Sequence, residues 1–546
     1  MGPAATLAMM LWGITAPAYW GDEADTVSAV SRSLPQLMQM LRHVDAVHGL
    51  YYLSLWPVVR VLGAGEFAMR LPSALAMAAA ALGVAAIARR LASSRAALCA
   101  GLLFAITPMI SAQGHDARPY GMVTASAVLA SYLLIRAIDD PRRRWFAAYG
   151  GSLVLLGYLE LFGPLLILAH GVTLACLRWR GTRRATLVVR RWLITVAAAV
   201  TAIVPLGVYG WQQRAQIAWI ARPSWHDVLS AATSLAGGST ALTVVAGLLT
   251  VLGIFGGTPV PFGRTELAWL PGQAGPAPLR GQEAGPTRTG LSLTWLALPW
   301  LALPPALLLA ASEIKPVYNF RYLVFCLPAM TLLAGAGLAV LTQGIGFPGT
   351  PRGAIVPRTA KRQPPPRRQG QAADLGPGRP RVPGDPGTLR RVLGWAVPAT
   401  ALCLIVTLVA PTQLSIRVPA TGMRQVSQFL AVHERPGDAV IYPGSGVPPW
   451  YLAYPDGLGR LRDIWMAESG PASGRLYGVR VTLPVLLQRE RGICRIWAVE
   501  LAPPWSDPAP DLAPAFRLAG TWQPQPGVRL WLYQRPGCAP APGTSR

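Results

Sequence analysis

Apolar stretches of membrane-spanning length recur along the first 410 residues, separated by short polar breaks. A run of about 20 apolar residues crosses a bilayer as a helix, which satisfies its own backbone groups where water is absent. The pattern predicts eleven spans, roughly at 4–20, 71–88, 97–113, 119–136, 145–160, 162–178, 192–210, 239–256, 291–311, 320–343 and 392–411. Residues 1–343 read as a transmembrane module with a long first loop at 21–70, and 392–411 as the last span. Ala16-Pro17-Ala18 allows an alternative reading of the first span as a cleaved leader, but no basic residue precedes it. The period changes over residues 412–546. There, 421–433 predicts an amphipathic helix with Met423, Val426, Phe429 and Leu430 on one face. Arg435-Pro436-Gly437-Asp438 predicts a turn, and Ala439–Tyr442, Ile493–Glu500 and Val528–Gln534 predict strands. The expected fold class is mainly α, a polytopic membrane protein of about eleven helices, with a small α/β domain at its C-terminus.

Composition agrees. Of 546 residues, 52% are hydrophobic and 13% charged, against about a quarter charged in soluble domains. This excludes a disordered chain and argues against a soluble enzyme. The net charge of +25 would suggest nucleic acid in a soluble protein, but here its distribution is a topology signal. Loops 88–96, 135–145, 177–192, 257–290 and 344–391 hold 26 Lys/Arg and 6 Asp/Glu. The alternate set, 21–70, 114–118, the turn at Glu160, 211–230 and 312–321, holds nine of each. The positive-inside rule puts the first set in the cytoplasm, with the N-terminus inside and residues 412–546 outside. No nucleic-acid partner is expected. Residues 344–391 are a basic Pro/Gly/Arg-rich linker that cannot bury a core. It is either a plain insertion or a contact to anionic membrane lipids. Cys494 and Cys538 can pair if their segment is extracytoplasmic.

The chemistry concentrates in the first outer loop. Trp20-Gly21-Asp22-Glu23-Ala24-Asp25 places three carboxylates at the membrane surface, where they need water, a cation or a partner. Ser33 predicts the N-cap of a helix with Leu34, Leu37, Met38 and Leu41 as its apolar stripe. Asp45 is placed to cap the next helix, with His48 one turn along in Asp45-Ala46-Val47-His48-Gly49-Leu50-Tyr51-Tyr52. An Asp here can take a proton from an acceptor hydroxyl. Asp22 and Glu23 can also help hold a divalent cation, Mg or Mn. Alternatively, Asp22 and Glu23 solvate a span end and Asp45 merely caps. His115-Asp116-Ala117-Arg118-Pro119-Tyr120 and Asn319-Phe320-Arg321-Tyr322 carry arginines suited to phosphate; the alternative is an interfacial anchor. Glu160 lines the cavity or marks a tight turn, the turn being the preferred reading. His170 reads as a hydrogen-bonded helix-packing residue.

These features together resemble the GT-C superfamily of integral membrane glycosyltransferases, and within it glycosyltransferase family 39 and its bacterial relatives. The resemblance rests on Asp22-Glu23 after the first span, Asp45 to Tyr52, Arg70-Leu71-Pro72 opening the second span, Asp116-Ala117-Arg118-Pro119-Tyr120 and Arg321-Tyr322 before a late span. It covers about residues 1–345. It implies a polyprenyl-phosphate-linked sugar donor, a hydroxyl acceptor, inversion at the anomeric carbon and transfer on the outer face of the plasma membrane, with mannose the leading sugar. Carried onto this chain, Asp22 is the general base. Glu23 and Asp45 orient the acceptor, tune Asp22 or help bind a metal. Arg118 and Arg321 hold the donor phosphate, with His48, Asp116, Tyr120 and Tyr322 completing the substrate site. His115-Asp116 stands where relatives often have Glu before Ala-Arg, and residues 412–546 do not resemble the eukaryotic repeat domain. A lipid-linked-sugar transporter would use the same arginine–phosphate contacts without catalysis. An inactive relative would act in assembly through residues 412–546.

Overall fold

The computed structural model describes residues 2–179, 183–256, 291–343, 400, 404–418, 422–443, 450–501, 512 and 514–538. The expected linker 344–391, the loop 257–290 and the first part of the last span lie outside these. Among the described residues, Glu66–Leu91, Tyr120–Asp139, Ala185–Gln212, Leu293–Ile314 and Phe320–Leu341 are long and apolar enough to cross a bilayer. Two bent pairs raise five to at most seven. Ser94–Ile106 and Pro108–Gly114 meet at 61°, where Pro108 lacks the N–H that would continue the helix. Trp225–Ala236 and Thr240–Gly256 meet at 77°, across Gly237 and Gly238 at φ +128° and +84°. Expected spans 4–20, 145–160, 162–178 and 392–411 fall on shorter helices, Gly2–Leu11, Arg143–Leu159, Gly163–Trp179 and Leu404–Ser415. Eleven thus counts apolar stretches, while among the described residues at most seven spans have full length. The first helix stops at Leu11, well short of residue 20, and Gly13 turns the chain at φ 71°.

The helices Phe320–Leu341 and Tyr120–Asp139 are central, 83% and 72% buried, whereas Ala185–Gln212 is peripheral at 17%. His170 packs at the centre as expected, between Ser131 Oγ at 3.1 Å and Tyr149 Oη at 2.9 Å.

The first loop, 21–70, folds into three helical segments before the second span. Gly21–Val30 carries Asp22 and Glu23 in its first turn, where the helix dipole favours carboxylates. Leu34–His43 starts at Ser33 as expected, and Gln36 Oε1 accepts from Ser33 N at 3.0 Å. Its stripe divides: Leu37 and Leu41 are buried, Leu34 and Met38 exposed. Gly49–Leu62 follows a short 3₁₀ turn, Ala46–His48.

Beyond the last apolar helix, Met423–His433 packs Met423, Val426 and Leu430 inward on a five-stranded sheet. Its strands are β1 (Ala439–Ile441), β2 (Arg462–Asp463), β5 (Arg495–Leu501), β6 (Arg517–Gln525) and β7 (Val528–Gln534), in the order β2-β1-β5-β7-β6. β3 (Met466–Glu468) and β4 (Val479–Arg480) form a separate antiparallel pair. β1 runs parallel to β2 and β5, and β7 antiparallel to β5 and β6. Cys494 and Cys538 are joined, with Cα atoms 5.4 Å apart, tying the start of β5 to the end of β7. The domain docks on the first loop and the segment before it. Arg424 meets Glu66 at 2.6 Å and Pro17 O at 3.0 Å. Tyr454 Oη accepts from Tyr19 N at 2.6 Å and donates to Glu66 Oε1 at 3.3 Å.

Candidate functional site

Glu23 is the centre of a closed polar knot. Its carboxylate takes a two-pronged contact from Arg70, Nε to Oε1 and Nη2 to Oε2, each 2.7 Å. Oε1 also accepts from Ala117 N at 2.9 Å and Oε2 from Trp20 N at 3.3 Å. Arg70 further donates to Ile14 O at 2.8 Å and Pro17 O at 2.9 Å. Both side chains are 1% exposed. One ion pair thus ties together the end of the first span, the helix Gly21–Val30, the second span and the 114–118 turn. Arg70-Leu71-Pro72 marks this knot. Glu23 has no oxygen left for a substrate or cation, so its placement is scaffolding, which differs from the expected catalytic and metal roles. Among the described residues no three His, Cys, Asp or Glu side chains gather to hold an ion. The donor set expected for Mg or Mn, Asp22 with Glu23, does not fit a cation here, because one carboxylate is consumed by Arg70 and the other faces two guanidinium groups.

Asp22 opens instead onto a cavity of about 420 Å³ that reaches toward the C-terminal domain. Its carboxylate is 40% exposed and lies 3.9 Å from Arg118 Nε and 3.8 Å from Arg321 Nη1. Asp45, His48, Arg118, Tyr120, Arg321 and Tyr322, singled out from the sequence, all line the same cavity. Arg118 Nη2 lies 3.1 Å from His48 Nε2. Arg321 stacks over the Trp20 ring at 4.3 Å, and Tyr322 lies 5.2 Å from the Phe162 ring. Asp116 does not line the cavity: it is buried behind it, accepting from Trp20 Nε1 at 3.0 Å. It fixes the indole on which Arg321 rests.

Asp45 does not cap its helix. It is the one non-glycine residue at positive φ among the described residues, 58°, a conformation Asp tolerates better than most. Gln216 Oε1 accepts from Asp45 N at 3.3 Å and Gln213 Oε1 from Ala46 N at 2.9 Å. These side chains of the 211–230 loop hold the turn, and the freed Asp45 carboxylate accepts from Tyr52 Oη at 2.9 Å. Glu160 marks the expected turn, accepting from Phe162 N at 3.3 Å, and also lines the cavity. Sequence reasoning missed Gln213, Gln216 and Tyr477, the last supplied by the C-terminal domain, and named Asp25 only as one of three surface carboxylates.

Burial dominates the local acid–base behaviour. It pushes Asp25 up to about 8, reinforced by the Asp45 carboxylate. Glu160 rises to about 7 for the same reason. Asp45 and Asp116 also rise, each through burial. Burial and the Arg118 guanidinium hold His48 well below its ordinary range, so its ring is neutral. The site therefore offers an open carboxylate, two fixed cations, a neutral imidazole, and buried acids that resist ionisation.

Residues 50–211 match the family model described as dolichyl-phosphate-mannose-protein mannosyltransferase. No curated protein matches the sequence. Among solved structures, ArnT from Cupriavidus metallidurans bound to undecaprenyl phosphate is similar over 98% of both chains, at 15% identity and TM-score 0.51. Its apo form is similar over 97% of this chain and 96% of that one, at 14% identity and TM-score 0.50. Similarity at this identity shows the fold. The chain is a multi-pass membrane protein with a fold similar to that of ArnT, and its residues 50–211 match the mannosyltransferase family model.

Proposed function

We propose that this membrane protein is an inverting glycosyltransferase of the GT-C type. It moves a sugar, mannose first among the candidates, from a polyprenyl-phosphate donor to a hydroxyl acceptor on the outer face of the plasma membrane. The observation that carries this reading is the Asp22 carboxylate set between Arg118 and Arg321 at the cavity, at 3.9 and 3.8 Å. Those separations exceed hydrogen-bond length, so both guanidinium groups can turn to a third anion without breaking a tight pair. A donor phosphate takes that place and leaves Asp22 facing the anomeric carbon from the other side. The acceptor oxygen attacks that carbon, its proton passes to Asp22, and the bond to the phosphate oxygen breaks with inversion. Polyprenyl phosphate departs with the bonding electrons, its charge met by Arg118 and Arg321. The outer-face assignment follows from the charge asymmetry of the loops. ArnT bound to undecaprenyl phosphate has the same fold and supports a lipid-linked donor.

The test is release of undecaprenyl phosphate from undecaprenyl-phosphate sugars by the purified protein, with product configuration read by NMR. Acceptor-dependent release with an inverted anomeric centre is expected. Movement of the intact sugar lipid across vesicles without cleavage would replace this reading with transport.

A further inference from the structure

Of the cavity-lining carboxyls that have no part in the reaction above, Asp25 has an unpaired oxygen. Asp25 is 8% exposed. Its Oδ2 accepts from Tyr477 Oη at 3.1 Å, while its Oδ1 is buried with no hydrogen-bond partner among the described residues. Both residues line the cavity with Asp22. A buried carboxyl oxygen left unpaired is an unfavourable arrangement that a bound hydroxyl relieves.

The position of Asp25 relative to the reacting centre narrows what binds there. Asp25 follows Asp22 by three residues on one helix, so it lies on the same face about 4.5 Å further along the axis. That offset carries it from the anomeric carbon across a sugar ring. The phosphate is fixed at the other end by Arg118 and Arg321. The backbone just before Tyr477 is anchored. Arg32 Nη2 donates to Arg475 O at 2.7 Å, and Ser28 Oγ to Leu476 O at 3.4 Å. Arg32 is 1% exposed, and its guanidinium latches the segment carrying Tyr477 against the helix that bears Asp25.

We infer that Asp25, oriented by Tyr477 of the C-terminal domain, hydrogen-bonds a ring hydroxyl of the sugar carried by the lipid donor. This rests on the proposed transfer reaction. It gives the C-terminal domain a part in sugar selection, through one side chain reaching the membrane-surface cavity.

The full-length protein in nanodiscs tests this with two kinds of probe: undecaprenyl phosphate alone, and undecaprenyl phosphate carrying mannose, glucose or arabinose. Asp25→Asn and Tyr477→Phe are compared with wild type. Tyr477→Phe removes a single oxygen, so it keeps the test open if Asp25→Asn perturbs folding. Both variants are expected to raise the Kd and KM for the preferred sugar lipid about tenfold, equivalent to about 1.4 kcal/mol. The Kd for undecaprenyl phosphate alone should stay within about twofold. Equal weakening of both probes, no weakening of either, or a rise confined to the acceptor KM would each overturn the inference. Wild type that releases no undecaprenyl phosphate from any sugar lipid contradicts the transfer reaction itself. Wild-type turnover with variants that bind the sugar lipid normally contradicts only the role of Asp25 and Tyr477.

Discussion

Asp22 and Glu23 are chain neighbours of the same chemical type, and their surroundings are opposite. Glu23 is 1% exposed, with both oxygens bound by a guanidinium and two backbone amides. Asp22 is 40% exposed and faces two arginines at distances longer than a hydrogen bond. On a helix, adjacent residues point about 100° apart, so one turns into the protein and the other into the cavity. The contrast shows how a membrane-surface site is built from few polar residues. A fully satisfied pair fixes the geometry of four segments, and an under-satisfied set beside it stays open to the cavity. The Asp25–Tyr477 contact lies between these extremes, half satisfied and facing the cavity.

The contrast can be broken from either side. Glu23→Gln should have the largest effect on stability, about 3–5 kcal/mol, because it leaves Arg70 buried without its counter-charge. Thermal unfolding in detergent checks this, and Asp22→Asn should leave the same melting temperature nearly unchanged. Arg321→Gln should lower the transfer rate by about 10²–10³, as expected for a cation facing a leaving group, again with little change in melting temperature. A smaller effect sharpens the intermediate case. Because Asp25 is raised to about 8 from 3.8, the folded protein retains a proton that the unfolded chain releases between those values. The contribution of Asp25 to stability is therefore fully present below about pH 4 and is lost as pH rises through 8. Asp25→Asn lacks this loss, so its melting temperature should gain on wild type progressively from pH 5 to pH 8. A constant difference across that range would contradict it. The smallest effect is expected from Tyr454→Phe, about 1 kcal/mol for one hydrogen-bonding hydroxyl at the domain contact, read by proteolysis of the C-terminal domain.

Much of this arrangement was legible in the sequence because it follows local rules. The Ser33 cap, the helix over 421–433 and the strand Val528–Gln534 come from spacing and turn chemistry, and the structure holds them at Leu34–His43, Met423–His433 and Val528–Gln534. The cavity-lining set of Asp22, Asp45, His48, Arg118 and Arg321 was legible because polar residues at membrane-span ends are few. What was not legible depends on distant parts of the chain. Asp45 reads as a cap from its neighbours, but Gln213 and Gln216 hold its backbone left-handed and free its carboxylate. Glu23 reads like Asp22 until Arg70 meets it, 47 residues on. Tyr477 is 452 residues from Asp25, and no periodicity links them. Span lengths also departed from the pattern, because Gly13 and Pro108 turn the chain within apolar sequence.

The most direct test compares single-turnover transfer by wild type and Asp22→Asn, using an undecaprenyl-phosphate sugar that wild type consumes. The proposed reaction predicts a loss of about 10²–10⁴ in rate, the range for removing a positioned base, with sugar-lipid affinity retained through Arg118 and Arg321. Transfer by Asp22→Asn at the wild-type rate would contradict Asp22 as the proton acceptor and, with it, the reading of the cavity as a catalytic site centred on that residue.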